Sequence, residues 1–120
     1  MKTTIYLSTG RGVSVITGSD RDWHGEVRLK DQHVQCVAAD VKRKRIVYCG
    51  TLGDGAFESD DGGMTWRSLE GVRVRNVTSI AVSNSGVVYA GSEPSAIFRS
   101  EDAGDTWREL PSLLTLPSSK

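Results

Sequence analysis

Three tyrosines, Tyr6, Tyr48 and Tyr89, stand 42 and 41 residues apart in a chain of 120 residues. Each sits in a related frame: TTIYLSTGRGVSV, RIVYCGTLGDGAF and GVVYAGSEPSAIF. A repeat of fixed period constrains folding more than anything else in this chain, because each copy must form the same unit and bury itself against the next. Every frame reads as a β-rich run closing on Ser-Thr or Gly-Thr/Ser, a break carrying glycine or proline, and a second apolar strand, as a hairpin requires. One further strand precedes the second and third frames, VQCVAAD (Val34 to Asp40) and NVTSIAVS (Asn76 to Ser83), and a Trp-led strand, MTWRSL or DTWREL, follows each. Four short strands per period without helical spacing predict an all-β fold of four-stranded antiparallel propeller blades. A β-sandwich also uses many short strands, but nothing in it demands self-similarity.

The same reading divides the chain into an incomplete blade over 1–32, blades over 33–70 and 71–110, and a connector over 111–120. Strands near Thr4 to Ser8, Val13 to Thr17 and Trp23 to Lys30 match the last three of the other blades. Under three full blades fall short of the about four to eight that close a ring. The expected object is therefore a partial propeller, completed by further blades or by copies of itself. In the second case Leu113 to Leu116 would be donated to a neighbour's first blade, although prolines flank that stretch and favour the first. Bare blade faces and strand edges predict self-association.

After the second and third frames come SDDGGMTW (Ser59 to Trp66) and SEDAGDTW (Ser100 to Trp107). Acidic residues beside glycine admit a metal loop, a sugar site or a turn. The turn explains every residue type. Asp61 and Asp102 can accept amide hydrogen bonds within their own turn, Gly63 and Gly104 can take positive φ, and the Ser59, Thr65, Ser100 and Thr106 hydroxyls can tie down what remains. Trp66 and Trp107 then bury an indole between blades. The spacing also fails the calcium-loop pattern, which ends on a distant Glu.

Both stretches fit S-x-D-x-G-x-T-W, and through them the chain resembles the Asp-box or BNR-repeat propellers. That broad group includes sialidases, sortilin-type receptors, xyloglucan-cleaving glycosidases and a photosystem II assembly factor; the fit here is to uncharacterised bacterial members. The resemblance implies that these hairpins join the third and fourth strands on the face away from any catalytic pocket, so Asp61 and Asp102 are structural. The first blade has only TGSDRDW (Thr17 to Trp23), one residue short and without the glycine, so its turn is expected to do without the motif. A sialidase would need an R-I-P signature, which is absent, and a Tyr-Glu nucleophile pair, which no pattern assigns.

A binding face belongs at the other end of the blades, on the loops Gly10-Arg11-Gly12, Gly53-Asp54-Gly55 and Glu93-Pro94-Ser95. Arg11, Asp54 and Glu93 are the candidate residues of the channel mouth, with a glycan or a protein as ligand; charged loop tips are also ordinary solvated turns. A glycosidase would need two carboxylates about 5–10 Å apart, and Asp54 and Glu93 are the pair available. The expected role is a non-catalytic repeat scaffold. A glycoside hydrolase segment and an assembly factor are the alternatives.

The rest of the chain is quieter. With 15 basic and 15 acidic residues there is no bias toward nucleic acid or an anionic membrane. MKTTIYLSTGRG reads as neither a secretory signal nor a span of about 20 apolar residues, so the cytoplasm is the expected compartment. His24 and His33 lack partners at metal-ligand spacing, and neither a metal nor a cofactor is expected. Lys42-Arg43-Lys44-Arg45 reads as a solvated hairpin tip. Cys36 and Cys49 are equidistant from a hairpin centred between Lys42 and Arg43, which would place them face to face; a disulfide is then geometrically open, and a reducing compartment favours free buried thiols.

Overall fold

The turns cut the chain into strands too short to wrap, so each hairpin must stack on its neighbour. The computed structural model describes residues 2–93 and 95–110; the Leu113 to Leu116 segment lies outside them. The strands are β1 (Thr3–Ser8), β2 (Val13–Ser19), β3 (Asp22–Arg28), β4 (Val34–Ala39), β5 (Val47–Thr51), β6 (Ala56–Ser59), β7 (Arg67–Ser68), β8 (Val77–Val82), β9 (Val88–Ser92), β10 (Ala96–Ser100) and β11 (Arg108–Glu109). They form three antiparallel sheets in the orders β1-β2-β3, β4-β5-β6-β7 and β8-β9-β10-β11. Tyr6, Tyr48 and Tyr89 lie on β1, β5 and β9, so the first sheet has no counterpart of β4 and β8. Among the described residues no helix is long and apolar enough to cross a membrane.

Two cores lie between successive sheets. Val13, Val15, Val34 and Cys49 are buried between the first and second, with Tyr6, Phe57 and Trp66 against them. Tyr48, Leu69, Val77, Val88, Ala90 and Phe98 fill the space between the second and third, with Trp107 against them. Side chains alternate across a strand, so each sheet has one face toward the sheet before it and one toward the sheet after. A single contact recurs. A Cβ on Gly63 would meet the Tyr6 ring at 3.1 Å, and one on Gly104 would meet the Tyr48 ring at 3.5 Å. The frame tyrosine of each sheet thus seats the turn glycine of the next.

The cysteines correct the expected register by one residue. Cys36 is opposite Gly50 and Val37 opposite Cys49, so the hairpin is centred on Arg43. Asp40 causes the shift: its buried carboxylate accepts the Lys42 and Arg43 amides at 2.9 and 3.0 Å and the Arg43 Nε at 3.2 Å, closing an asymmetric loop. Cys36 consequently points at the third sheet, its Sγ 4.0 Å from the Val77 carbonyl oxygen, while Cys49 lies in the core facing the first. Both thiols are free. A one-residue irregularity follows Val34 and recurs after Val77, and at both places the strand turns a valine into the core.

Candidate functional site

The two ends of the sheets differ in how their polar groups are used. At one end lie the S-x-D-x-G-x-T-W turns. Ser59 Oγ donates to Asp61 Oδ1 at 2.8 Å and accepts the Gly63 amide at 2.8 Å. Asp61 Oδ1 also accepts the Met64 and Thr65 amides at 3.1 and 2.9 Å, and Oδ2 accepts the Thr65 hydroxyl. Trp66 Nε1 closes the turn on the Gly63 carbonyl at 2.9 Å. The third sheet repeats this with Ser100, Asp102, Gly104, Thr106 and Trp107: the Ser100 hydroxyl to Asp102 at 2.8 Å, the Thr106 amide to Asp102 at 2.9 Å, the indole to Gly104 at 2.9 Å. Gly63 and Gly104 have φ of 89° and 87°. Carboxylates engaged this way within their own turns have little left to offer a ligand.

The first sheet keeps one element of that turn. Trp23 Nε1 donates to the carbonyl of Asp20 at 3.1 Å, and Asp20 takes a φ of 50° where the others have glycine. β2 and β3 pair through to Ser19 and Asp22, so Asp20-Arg21 is a two-residue reversal. TGSDRDW therefore retains the indole lock without the Ser-Asp-Thr web.

The webs set an acid limit. Hydrogen bonds from the Thr65 hydroxyl and amide and from Ser59 hold the Asp61 carboxyl well below the usual range, and the Thr106 hydroxyl and amide with Ser100 bring Asp102 down to about 2. A depressed folded-state pKa contributes stability above the unfolded value, about 3.9 for Asp, and that stability is lost as pH falls through the folded value. The melting temperature is expected to drop between about pH 5 and pH 2. In Asp61→Asn/Asp102→Asn the drop should be shallower; parallel curves for the two proteins would refute the assignment.

At the opposite end, Arg11, Asp54 and Glu93 occupy corresponding hairpin loops and are all exposed. Thr9 Oγ1 donates to the Gly12 carbonyl at 3.2 Å and accepts the Arg11 amide at 3.3 Å. Thr51 Oγ1 does the same with the Gly55 carbonyl at 2.8 Å and the Asp54 amide at 3.1 Å. These threonines, third after the frame tyrosines, hold the tips; no motif marks them, and their recurrence in the repeat is the signal that the sequence carries. The Arg75 carbonyl accepts Gly53 and Gly55 amides at 2.9 Å each, and the neighbouring Asn76 carbonyl accepts Glu93 at 3.0 Å. Asp54 and Glu93 are thus stitched to one strip of backbone, while the Arg11 carbonyl accepts the Asp31 amide at 3.1 Å beside the first sheet. Asp54, Glu70, Arg73 and Arg75 line an open cleft of about 430 Å³ on this end.

A tyrosine–glutamate pair does occur, where no motif marked it: Tyr48 is opposite Glu58 across β5 and β6. Both are buried between the second and third sheets, and Glu58 Oε1 accepts Arg67 Nε at 2.7 Å. Burial, then the Glu58 carboxylate, push the Tyr48 phenol up to about 12. Among the described residues no cluster of three or more His, Cys, Asp or Glu is arranged to hold a metal ion.

No family model and no characterised protein sequence matches the chain. Solved structures do. An ancestral GH74 enzyme superposes with a TM-score of 0.67 at 19% identity, over 87% of this chain and 16% of its own. The GH74 xyloglucanase from Xanthomonas campestris gives 0.66 at 15% identity, over 92% and 22%. YCF48 bound to D1 peptide gives 0.61 at 16%, over 90% and 44%. The chain spans less than half the length of each. At these identities the likeness speaks for the fold: the three sheets are blades of a β-propeller.

Proposed function

We propose that the chain is a non-catalytic propeller segment acting as a binding scaffold, with Arg11, Asp54 and Glu93 at the mouth of the central channel. One observation carries this reading. The loop backbones are tethered by Thr9, Thr51, Arg75 and Asn76, yet among the described residues no hydrogen bond or ion pair engages the side chains of Arg11, Asp54 and Glu93. Fixed backbone with unspent charge is what a binding loop requires. A peptide is the ligand class to test first, since one structural neighbour, YCF48, is bound to a peptide. Binding of the chain to a peptide array should be lost when Arg11→Glu, Asp54→Lys and Glu93→Lys are combined; binding indifferent to that triple reversal would sink the assignment.

A second reading has its own support. Two neighbours are GH74 enzymes, and Asp54 and Glu93 share the Arg75–Asn76 strip, as a carboxylate pair would need. Release of reducing ends from xyloglucan oligosaccharides that disappears in Asp54→Asn or Glu93→Gln would establish hydrolysis and overturn the non-catalytic reading.

A further inference from the structure

Among the described residues one interface is built twice, and half of it is left bare on either side of the three stacked sheets. Between the second and third sheets, Tyr48, Glu58 and Arg67 are aligned across β5, β6 and β7. Tyr48 seats Gly104, and Arg67 reaches Asp105, the residue after that glycine, at 3.1 Å. The third sheet repeats the row as Tyr89, Arg99 and Arg108, with the Arg99 guanidinium 5.7 Å over the Tyr89 ring and its buried Nε unpartnered. No sheet among the described residues covers this row.

The first sheet presents the complementary half. Val13 and Val15 face the second sheet, so alternation sends Ser14, Ile16 and Gly18 outward. Their cross-strand partners are Leu7 and Val27 for Ser14, Ile5 for Ile16, and Trp23 for Gly18. Ile5, Leu7, Trp23 and Val27 are 39, 47, 45 and 39% exposed, four of the six large apolar side chains left in water among the described residues. Concentration on one face of one sheet marks an interface rather than scattered exposure. The adjoining turn carries Arg21 at the position of Asp105, two residues before the tryptophan, with Asp20 and Asp22 on either side of it.

We propose that the bare faces of the first and third sheets dock on each other between two copies of the chain, head to tail. Two copies contribute three sheets each, and the resulting six blades fall within the about four to eight of closed propellers. Each contact joins unlike faces, and the two contacts together close a two-fold ring in which a residue of one copy meets its partner on the other and the reverse holds.

The test is light scattering coupled to size exclusion on the 120-residue chain. The expected mass is twice 13.0 kDa, shifting to one copy in Leu7→Glu/Val27→Glu, whose altered side chains are exposed within the protomer. Circular dichroism unchanged by that substitution confirms that the protomer still folds. A wild-type monomer at tens of micromolar, a polydisperse aggregate, or a dimer untouched by Leu7→Glu/Val27→Glu would each overturn the proposal.

Discussion

Gly50→Ala is expected to cost about 2–3 kcal/mol, although the change adds a single methyl group to a backbone that any residue can adopt. The methyl would lie 2.6 Å from both the carbonyl oxygen and Cγ1 of Val77 and 2.8 Å from Cys36 Sγ. Of these neighbours only the thiol is able to swing away. The Val77 carbonyl belongs to β8, whose first residue is turned inward by the irregularity after it, so relief requires the second and third sheets to separate. That separation would open the core around Tyr48, Ala90 and Phe98. Gly53→Ala is the control: its φ of 111° is strained for alanine, but nothing lies within 4 Å of the added carbon, so about 1 kcal/mol is expected. Urea unfolding followed by tryptophan emission separates the two, and Cys36→Ala should fail to rescue Gly50→Ala. Equal midpoints for Gly50→Ala and Gly53→Ala would mean that close approach of the sheets does not limit stability.

The contrast shows what a repeat can and cannot disclose. Tyr6, Tyr48 and Tyr89 were visible as a period, and the period led to three sheets because like sequences form like units. The role of the tyrosine, seating the next sheet's turn glycine, is a contact between residues 57 and 56 positions apart, and no local pattern encodes it. The turns at Ser59 and Ser100 were legible because their hydrogen bonds are local, spanning at most four residues. Cys36 and Cys49 were misplaced for a related reason: strand register depends on the loop between them, and Asp40 shifted that loop by binding two amides that a symmetric count ignores. The Tyr48–Glu58 pair stayed hidden because its partners come from different strands and the first and third sheets put Val15 and Arg99 where Glu58 stands. At the loop end, charge at the tips was plain in the sequence, whereas the tethers from Thr9, Thr51 and Arg75 needed the fold.

Arg67→Met should destabilise the chain by about 2 kcal/mol, through the carboxylate it abandons more than the contact it removes. Glu58 is 5% exposed, between Tyr48 and the third sheet, and Arg67 is its partner at 2.7 Å. Leaving a buried charge uncompensated costs about 3–5 kcal/mol in a dry interior. The value here sits below that range because the Arg67 side chain is 51% exposed, so water already shares the charge. The second contact of Arg67, to Asp105 at 3.1 Å, is at a rim where the Asp105 side chain is 68% exposed, and Asp105→Ala alone should change stability by less than about 0.5 kcal/mol. Glu58→Leu combined with Arg67→Met should recover most of the loss, since an apolar pair of similar volume replaces a buried ion pair at little cost. It would also make this position resemble Val15, its apolar counterpart in the first sheet. The comparison needs three unfolding midpoints, for Arg67→Met, Asp105→Ala and the double variant. A double variant as unstable as Arg67→Met would show that the arginine stem, packed across β6 and β7, matters more than its charge, and the ion pair would then be incidental to the stacking of the second sheet on the third.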